Sequence, residues 1–235
     1  MAFQNRSGYF LNIPLVTKNL LIINFLCWVA SIVLPRFHID LIQWFGLHFP
    51  GASGFYLFQP VTYMFMHDTH SFGHIFFNMF AVFMFGPTLE SVWGARRFLL
   101  YYLFTGIGAA LVQEAIWLYM IHALAEANQI SLFQQIAMDP SVNYLITIGA
   151  SGAVFGLLLG FGMFFPNVPL FIMFIPIPIK AKYFVIAYGV IELLLGISRF
   201  NGDNVAHFAH LGGMLFGFLI IRYWKWKYRN HEHSS

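Results

Sequence analysis

The chain is predicted to be an all-α membrane protein, a bundle of six transmembrane helices with both termini in the cytoplasm. Three observations lead there. Of 235 residues, 59% are hydrophobic and only 9% charged, where a soluble domain carries about 25%. Mean hydropathy is +0.70. Apolar runs of spanning length recur along the chain, separated by polar or proline-bearing breaks, and a span needs roughly 17–25 such residues.

The elements follow in order. The first span is 18–34, closed by Pro35. Residues 37–61, rich in aromatics and glycine and broken by Pro50, read as an interfacial loop. The second span covers about 71–92 and the third about 98–121. The polar stretch AEANQISLFQQIAMDPSVN separates them from the fourth, about 148–165, which Pro166 ends. IPIPIK turns the chain into the fifth, about 183–198, and the sixth is about 205–222. The organisation is thus a cytoplasmic N-terminal segment (1–17), a six-helix domain (18–222) and a basic cytoplasmic tail (223–235). Its RYWKWKYR stretch is an interfacial anchor.

Basic residues set the direction. With the N-terminus inside, Arg6, Lys18, Arg96, Arg97, Lys180, Lys182, Arg222, Lys225, Lys227 and Arg229 fall inside, and only Arg36 and Arg199 outside. Spans two, four and six then all run inward from the outer face. The pI near 9.0 belongs to this bias and points to membrane lipid, with no nucleic-acid partner. The lone cysteine, Cys27, can form no internal disulfide. No basic n-region with a cleavage site precedes the first span, which reads as its own anchor.

Each inward-running span carries unusual polar residues near its outer end. His74 and Asn78 stand at i and i+4 on one face of span two. Span four opens with GASG, residues 149–152, and span six holds His207 and His210 in its first turns. At ~1.5 Å per residue, His210 and Asn78 lie ~9 and ~10 Å below their helix starts. Residues 151–165 make only ~22 Å of helix in a ~30 Å core, which sets Ser151 ~8 Å deep. The three clusters share a level. Residues 142–150 must then descend as irregular backbone, tolerated only if buried in protein or lining a wet cavity.

Such a constellation fits acyl transfer. Ser151 is a nucleophile once a base takes its proton, and His210 is that base. Unpaired N–H groups at a helix N-terminus favour developing negative charge, and His74 and Asn78 are further oxyanion donors. Gly213 and Gly217 follow His210 on its own face, and Gly152, Gly156 and Gly160 form a small-residue ridge that lets helices approach. His207 is the rival base and is read as lining the cavity. No acidic residue is an obvious third member: Asp203 lies near the surface, and Glu114 and Glu192 sit within spans without an identified partner. The expectation is a dyad. Glu90 is read as pinning the inner end of span two with Arg96 or Arg97. His67 and His70 are placed at the interface. A metal site from His67, His70, His74 and His207 lacks a carboxylate or cysteine to complete it, so neither metal nor cofactor is expected.

On these residues the chain resembles the rhomboid family of intramembrane serine proteases. GASG (149–152) matches its G-x-S-G, AHLGGMLFG (209–217) its A-H-x-x-G-x-x-x-G, and His74 with Asn78 its H-x-x-x-N. The likeness spans about 18–222 and implies a rhomboid-like bundle. Ser151 would be the nucleophile and His210 the general base, with His74, Asn78 and the Ser151 N–H as the oxyanion hole. Phe155 stands where the family often has a tyrosine stacked on the histidine. Gln59 replaces an arginine of the first-loop W-R motif, and Phe200 in loop 197–204 would belong to a cap. Gly149, Gly152, Gly213 and Gly217 support the site. The resemblance further implies transmembrane protein substrates, no obligate partner, and a prokaryotic plasma membrane. Two other functions compete. A catalytically inactive relative that binds transmembrane segments would usually lack the serine or the histidine. A small transporter should carry polar residues along the whole depth.

Overall fold

A computed structural model describes residues 13–172, 175–198 and 206–232. In chain order the helices are α1 (Leu15–Val33), α2 (Leu41–Phe45), α3 (Gln59–Thr62), α4 (Phe72–Trp93), α5 (Ala95–Ala127), α6 (Leu132–Met138), α7 (Ser151–Phe164), α8 (Ala181–Ser198) and α9 (His207–Glu232). Two short strand pairs complete it: β1 (Leu47–His48) with β2 (Ile146–Thr147), and β3 (Pro169–Ile172) with β4 (Ile175–Lys180), both antiparallel. Among the described residues, four helical stretches are long and apolar enough to cross a membrane: Leu15–Phe37, Phe72–Trp93, Ala95–Ala127 and Ala181–Ser198. The helix Ser151–Phe164 is apolar but shorter.

The expected spans align with α1, α4, α5, α7, α8 and α9, with changed ends. Helix α5 has 33 residues, because its alanine- and leucine-rich sequence continues as good helix former past 121. A capping box between Ser131 and Gln134 then starts α6. The IPIPIK stretch is a strand, β4, rather than a simple turn. Helix α9 runs without a break from His207 to Glu232, so the tail expected beyond 222 continues the helix.

Helix α7 is the centre, packed by α4, α5, α8 and α9 and buried continuously from Gly152 to Leu158. Missing side chains allow this. A Cβ at Gly152 would stand 2.4 Å from Ala109 Cβ, one at Gly156 2.5 Å from Thr105 Cβ, and one at Gly213 1.9 Å from the Gly152 carbonyl oxygen. The ridge on α7 therefore seats α5, while Gly213 brings α9 onto the α7 backbone. Tyr101 donates its hydroxyl to the Gly156 carbonyl at 2.7 Å, and the absent Cβ of Gly217 makes room for that same hydroxyl.

Helix α7 starts inside the bundle, and the first loop covers the descent to it. β1 pairs with β2, the Phe49 N–H bonds the Leu145 carbonyl, and the Gly149 N–H bonds the Tyr63 carbonyl at 3.0 Å. Gln59 ties the loop together. Its Nε2 donates to the Trp44 and Gly54 carbonyls, and its Oε1 accepts from the N–H groups of His48 and Tyr56. A fully buried amide with donors and acceptors both engaged thus anchors the loop where the family often has arginine. His67 is also fully buried, beside His74, rather than open as a loop histidine was expected to be; His70 is exposed.

Glu90 is likewise placed differently. Its carboxylate is buried and accepts from the Val16 N–H (2.9 Å), the Thr17 N–H (2.7 Å) and the Thr17 hydroxyl (2.7 Å). It caps α1, which has no side-chain cap at Pro14, and so meets the positive end of that helix instead of Arg96 or Arg97.

Three outcomes follow in detergent melts. Glu90→Ala should cost roughly 1–3 kcal/mol, the price of stranded buried donors, and Glu90→Gln less; an unchanged Glu90→Ala midpoint would refute the cap. Gly213→Ala should cost about 1–3 kcal/mol by overpacking, whereas Gly73→Ala, with nothing nearer than 3.6 Å, should not destabilise. Burial, then the neighbouring His74, lowers the His67 pKa to about 3. The unfolded chain protonates this ring near pH 6.5 and the folded one does not. Stability should therefore fall as pH drops below about 6.5, by up to ~1.4 kcal/mol per unit. His67→Leu should flatten the midpoint-against-pH curve between about 4.5 and 6.5; equal slopes would exclude the effect.

Candidate active site

Ser151 is the first residue of α7, and the chain reaches it through Gly149 at φ +124°, a conformation open to glycine. Ser151 Oγ lies 2.8 Å from Nε2 of His210 in the first turn of α9. Phe155, one turn beyond Ser151, stacks flat on the His210 imidazole, with centroids 4.3 Å apart and planes 7° from parallel. The stacking needs only the ring, so phenylalanine supplies it without a hydroxyl. Helix α7 thus presents both the hydroxyl and the plate that orients its partner.

His74 reaches the same place from α4. The Asp68 N–H donates to its Nδ1 at 3.2 Å, which leaves the proton on Nε2. That Nε2 would stand 2.7 Å from a Cβ at Gly149, and Ser151 Oγ 3.7 Å from the same point. Gly149 is therefore both a backbone hinge and the gap that His74 occupies. Asn78 is buried one turn below, but its amide donates to the His74 carbonyl at 2.9 Å. As it stands it braces that turn of α4 rather than aiming at Ser151.

The acidic partner missing from the sequence reading is Glu192 on α8. A single oxygen, Oε2, lies 2.8 Å from His210 Nδ1 and 2.7 Å from His207 Nδ1, and all three side chains are buried. His207 therefore engages the carboxylate as well as bordering the site. An ionisable group in an apolar span is a signal of function. Its partner could not be read off, since it lies 15 and 18 residues away on another helix. The same three residues could hold a metal ion, their ligand atoms lying within 4.8 Å of one another. Glu114 is not drawn into the arrangement; its Oε1 is buried with no hydrogen-bond partner among the described residues. Phe200, Asp203 and residues 199–204 of the expected cap lie outside the described residues.

A hydroxyl on an imidazole, a second imidazole N–H across a glycine and a helix N-terminus are the parts of an acyl-transfer site. Residues 54–226 match the family described as Rhomboid domain. The chain is 31% identical over 164 residues to rhomboid protease AarA of Providencia stuartii, covering 64% of this chain and 51% of AarA. It is 29% identical over 148 residues to Rhomboid protein 1, mitochondrial, of Saccharomyces cerevisiae, covering 63% of this chain and 37% of that protein. Identity is 26% over 190 residues to YdcA of Bacillus subtilis, whose name marks it provisionally as a rhomboid protease; there the coverage is 81% and 75%. The chain spans about half the length of AarA and less of the yeast protein. With its apolar helices and a family match over most of its length, this integral membrane protein belongs to the rhomboid family.

Proposed function

We propose that the protein is an intramembrane serine endopeptidase that cleaves transmembrane-segment substrates near the outer membrane face. The observation that carries this is the 2.8 Å contact between Ser151 Oγ and His210 Nε2. Ser151 attacks the scissile carbonyl carbon while its proton passes to His210 Nε2. The oxyanion is met by the His74 Nε2–H and the Ser151 N–H at the start of α7, with Asn78 joining once it releases the His74 carbonyl. Protonated His210 then gives its proton to the leaving amine. Water, deprotonated by the same ring, hydrolyses the acyl ester.

The family resemblance implies the substrate class, and the chemistry is compatible with it. A carbonyl inside an intact helix already accepts a hydrogen bond, and the helix encloses it. A susceptible bond in a locally unwound stretch of a transmembrane helix, at small residues, is what the resemblance to the family implies. The ten-to-two basic bias supports six spans with cytoplasmic termini and an outward-opening site. AarA and YdcA come from bacteria, in keeping with a prokaryotic plasma membrane.

Fluorophosphonate labelling in detergent, and cleavage of a reporter transmembrane segment in liposomes, test this. Wild type should label and cleave. Ser151→Ala and His210→Ala should each lose at least ~10³-fold in rate, whereas His207→Ala should stay within about tenfold. Undiminished cleavage by Ser151→Ala would end the proposal.

A further inference from the structure

We infer that Glu192 is a positioning residue that fixes His210 in the tautomer able to act as base, making a Ser–His–Glu relay where a dyad was expected. The inference rests on the proposed acyl-transfer function of Ser151 and His210.

A neutral imidazole has one N–H and one lone pair. For His210 to take a proton from Ser151, its lone pair must lie on Nε2, so Nδ1 must hold the hydrogen. Left alone, the ring can carry that hydrogen on either nitrogen, and it can also turn about its side-chain bonds. Glu192 removes both freedoms. Its Oε2, 2.8 Å from Nδ1, accepts the Nδ1–H, and an ionised carboxylate can only accept. Phe155 fixes the ring plane from one face. When His210 becomes an imidazolium, the adjacent carboxylate opposes its charge, an interaction stronger in the transition state than in the ground state.

The second histidine explains how a carboxylate holds this position. A buried carboxylate is costly unless paired and hydrogen-bonded. His207 Nδ1, 2.7 Å from the same Oε2, supplies a second donor and stops the carboxylate from turning away. Among the described residues, the polar groups facing this cluster are His207 and His210 from α9, Ser151 from α7 and Tyr188 one turn earlier on α8. His74 on α4 lies within electrostatic range of His210. Among these, Glu192 is the group that can accept from His210 Nδ1 at the observed distance.

The test combines kinetics with ¹⁵N-histidine NMR, which reads the tautomer without reference to activity. In wild-type protein His210 should carry its proton on Nδ1. In Glu192→Gln, whose amide can donate as well as accept, that tautomer should lose its dominance. There kcat should fall ~10²–10⁴-fold, with KM within about threefold, as when a triad carboxylate becomes an amide. Glu192→Asp, which keeps the charge, should recover at least tenfold of the loss. A wild-type spectrum with the proton on Nε2 would overturn the inference, and so would wild-type kcat in Glu192→Gln. So would lost activity with the tautomer unchanged. If Glu192→Gln does not fold, the wild-type spectrum still decides. If wild-type protein neither labels nor cleaves, the proposed function fails, while the spectrum continues to report on Glu192.

Discussion

Hydrocarbon offers no hydrogen bonds, and a polypeptide that enters it must satisfy its own backbone. A helix that begins within the bundle, as α7 does at Ser151, violates that demand unless other protein covers the approach. The first loop meets it. Its short strand takes up the backbone at Ile146 and Thr147, Tyr63 accepts the Gly149 N–H, and Gln59 holds the loop in shape from within. Without this cover the backbone leading to Ser151 would lose the partners of its amides.

Reactive side chains here are short, so the backbones that carry them have to lie close. A serine and a histidine meet at hydrogen-bond distance only because Gly213 lets α9 rest on the Gly152 carbonyl and Gly149 leaves room for His74. The glycines divide the labour: the row on α7 seats α5, and the glycine after His210 seats α9. Buried carboxylates complete the frame at both ends of the molecule. Glu90 collects the N-terminal amides of α1, and Glu192 gathers two imidazoles. Each is tolerated because donors meet it, three at Glu90 and two imidazoles at Oε2 of Glu192.

What could be read in the sequence was what depends on local composition. Hydropathy marked the helices α1, α4, α5, α7, α8 and α9, and the motifs around His74, Ser151 and His210 marked residues that the fold brings together. Hidden were contacts that depend on how one helix is rotated against another. Glu90 was assigned to Arg96 and Arg97 because they are close in sequence, yet its partners are 73 and 74 residues away. Glu192 was noticed but unpartnered, since nothing local says which face of α8 meets α9. His67 was set at an interface because a polar residue in a loop looks wet, and its burial beside His74 is a tertiary fact. The β3–β4 pair escaped because isoleucine alternating with proline gives a weak strand signal.

At about 21 Å, α7 is some 9 Å shorter than a typical hydrocarbon core. A lipid-facing helix of that length would thin the bilayer around it or tilt its neighbours. Here lipid scarcely meets it, because α4, α5, α8 and α9 surround it and its residues are buried almost throughout. Helix α5, at about 50 Å, errs in the other direction and has to emerge from the core even at a 40° tilt. A helix too short to match a bilayer by itself can thus keep its place, because the contacts that hold it are with protein on four sides.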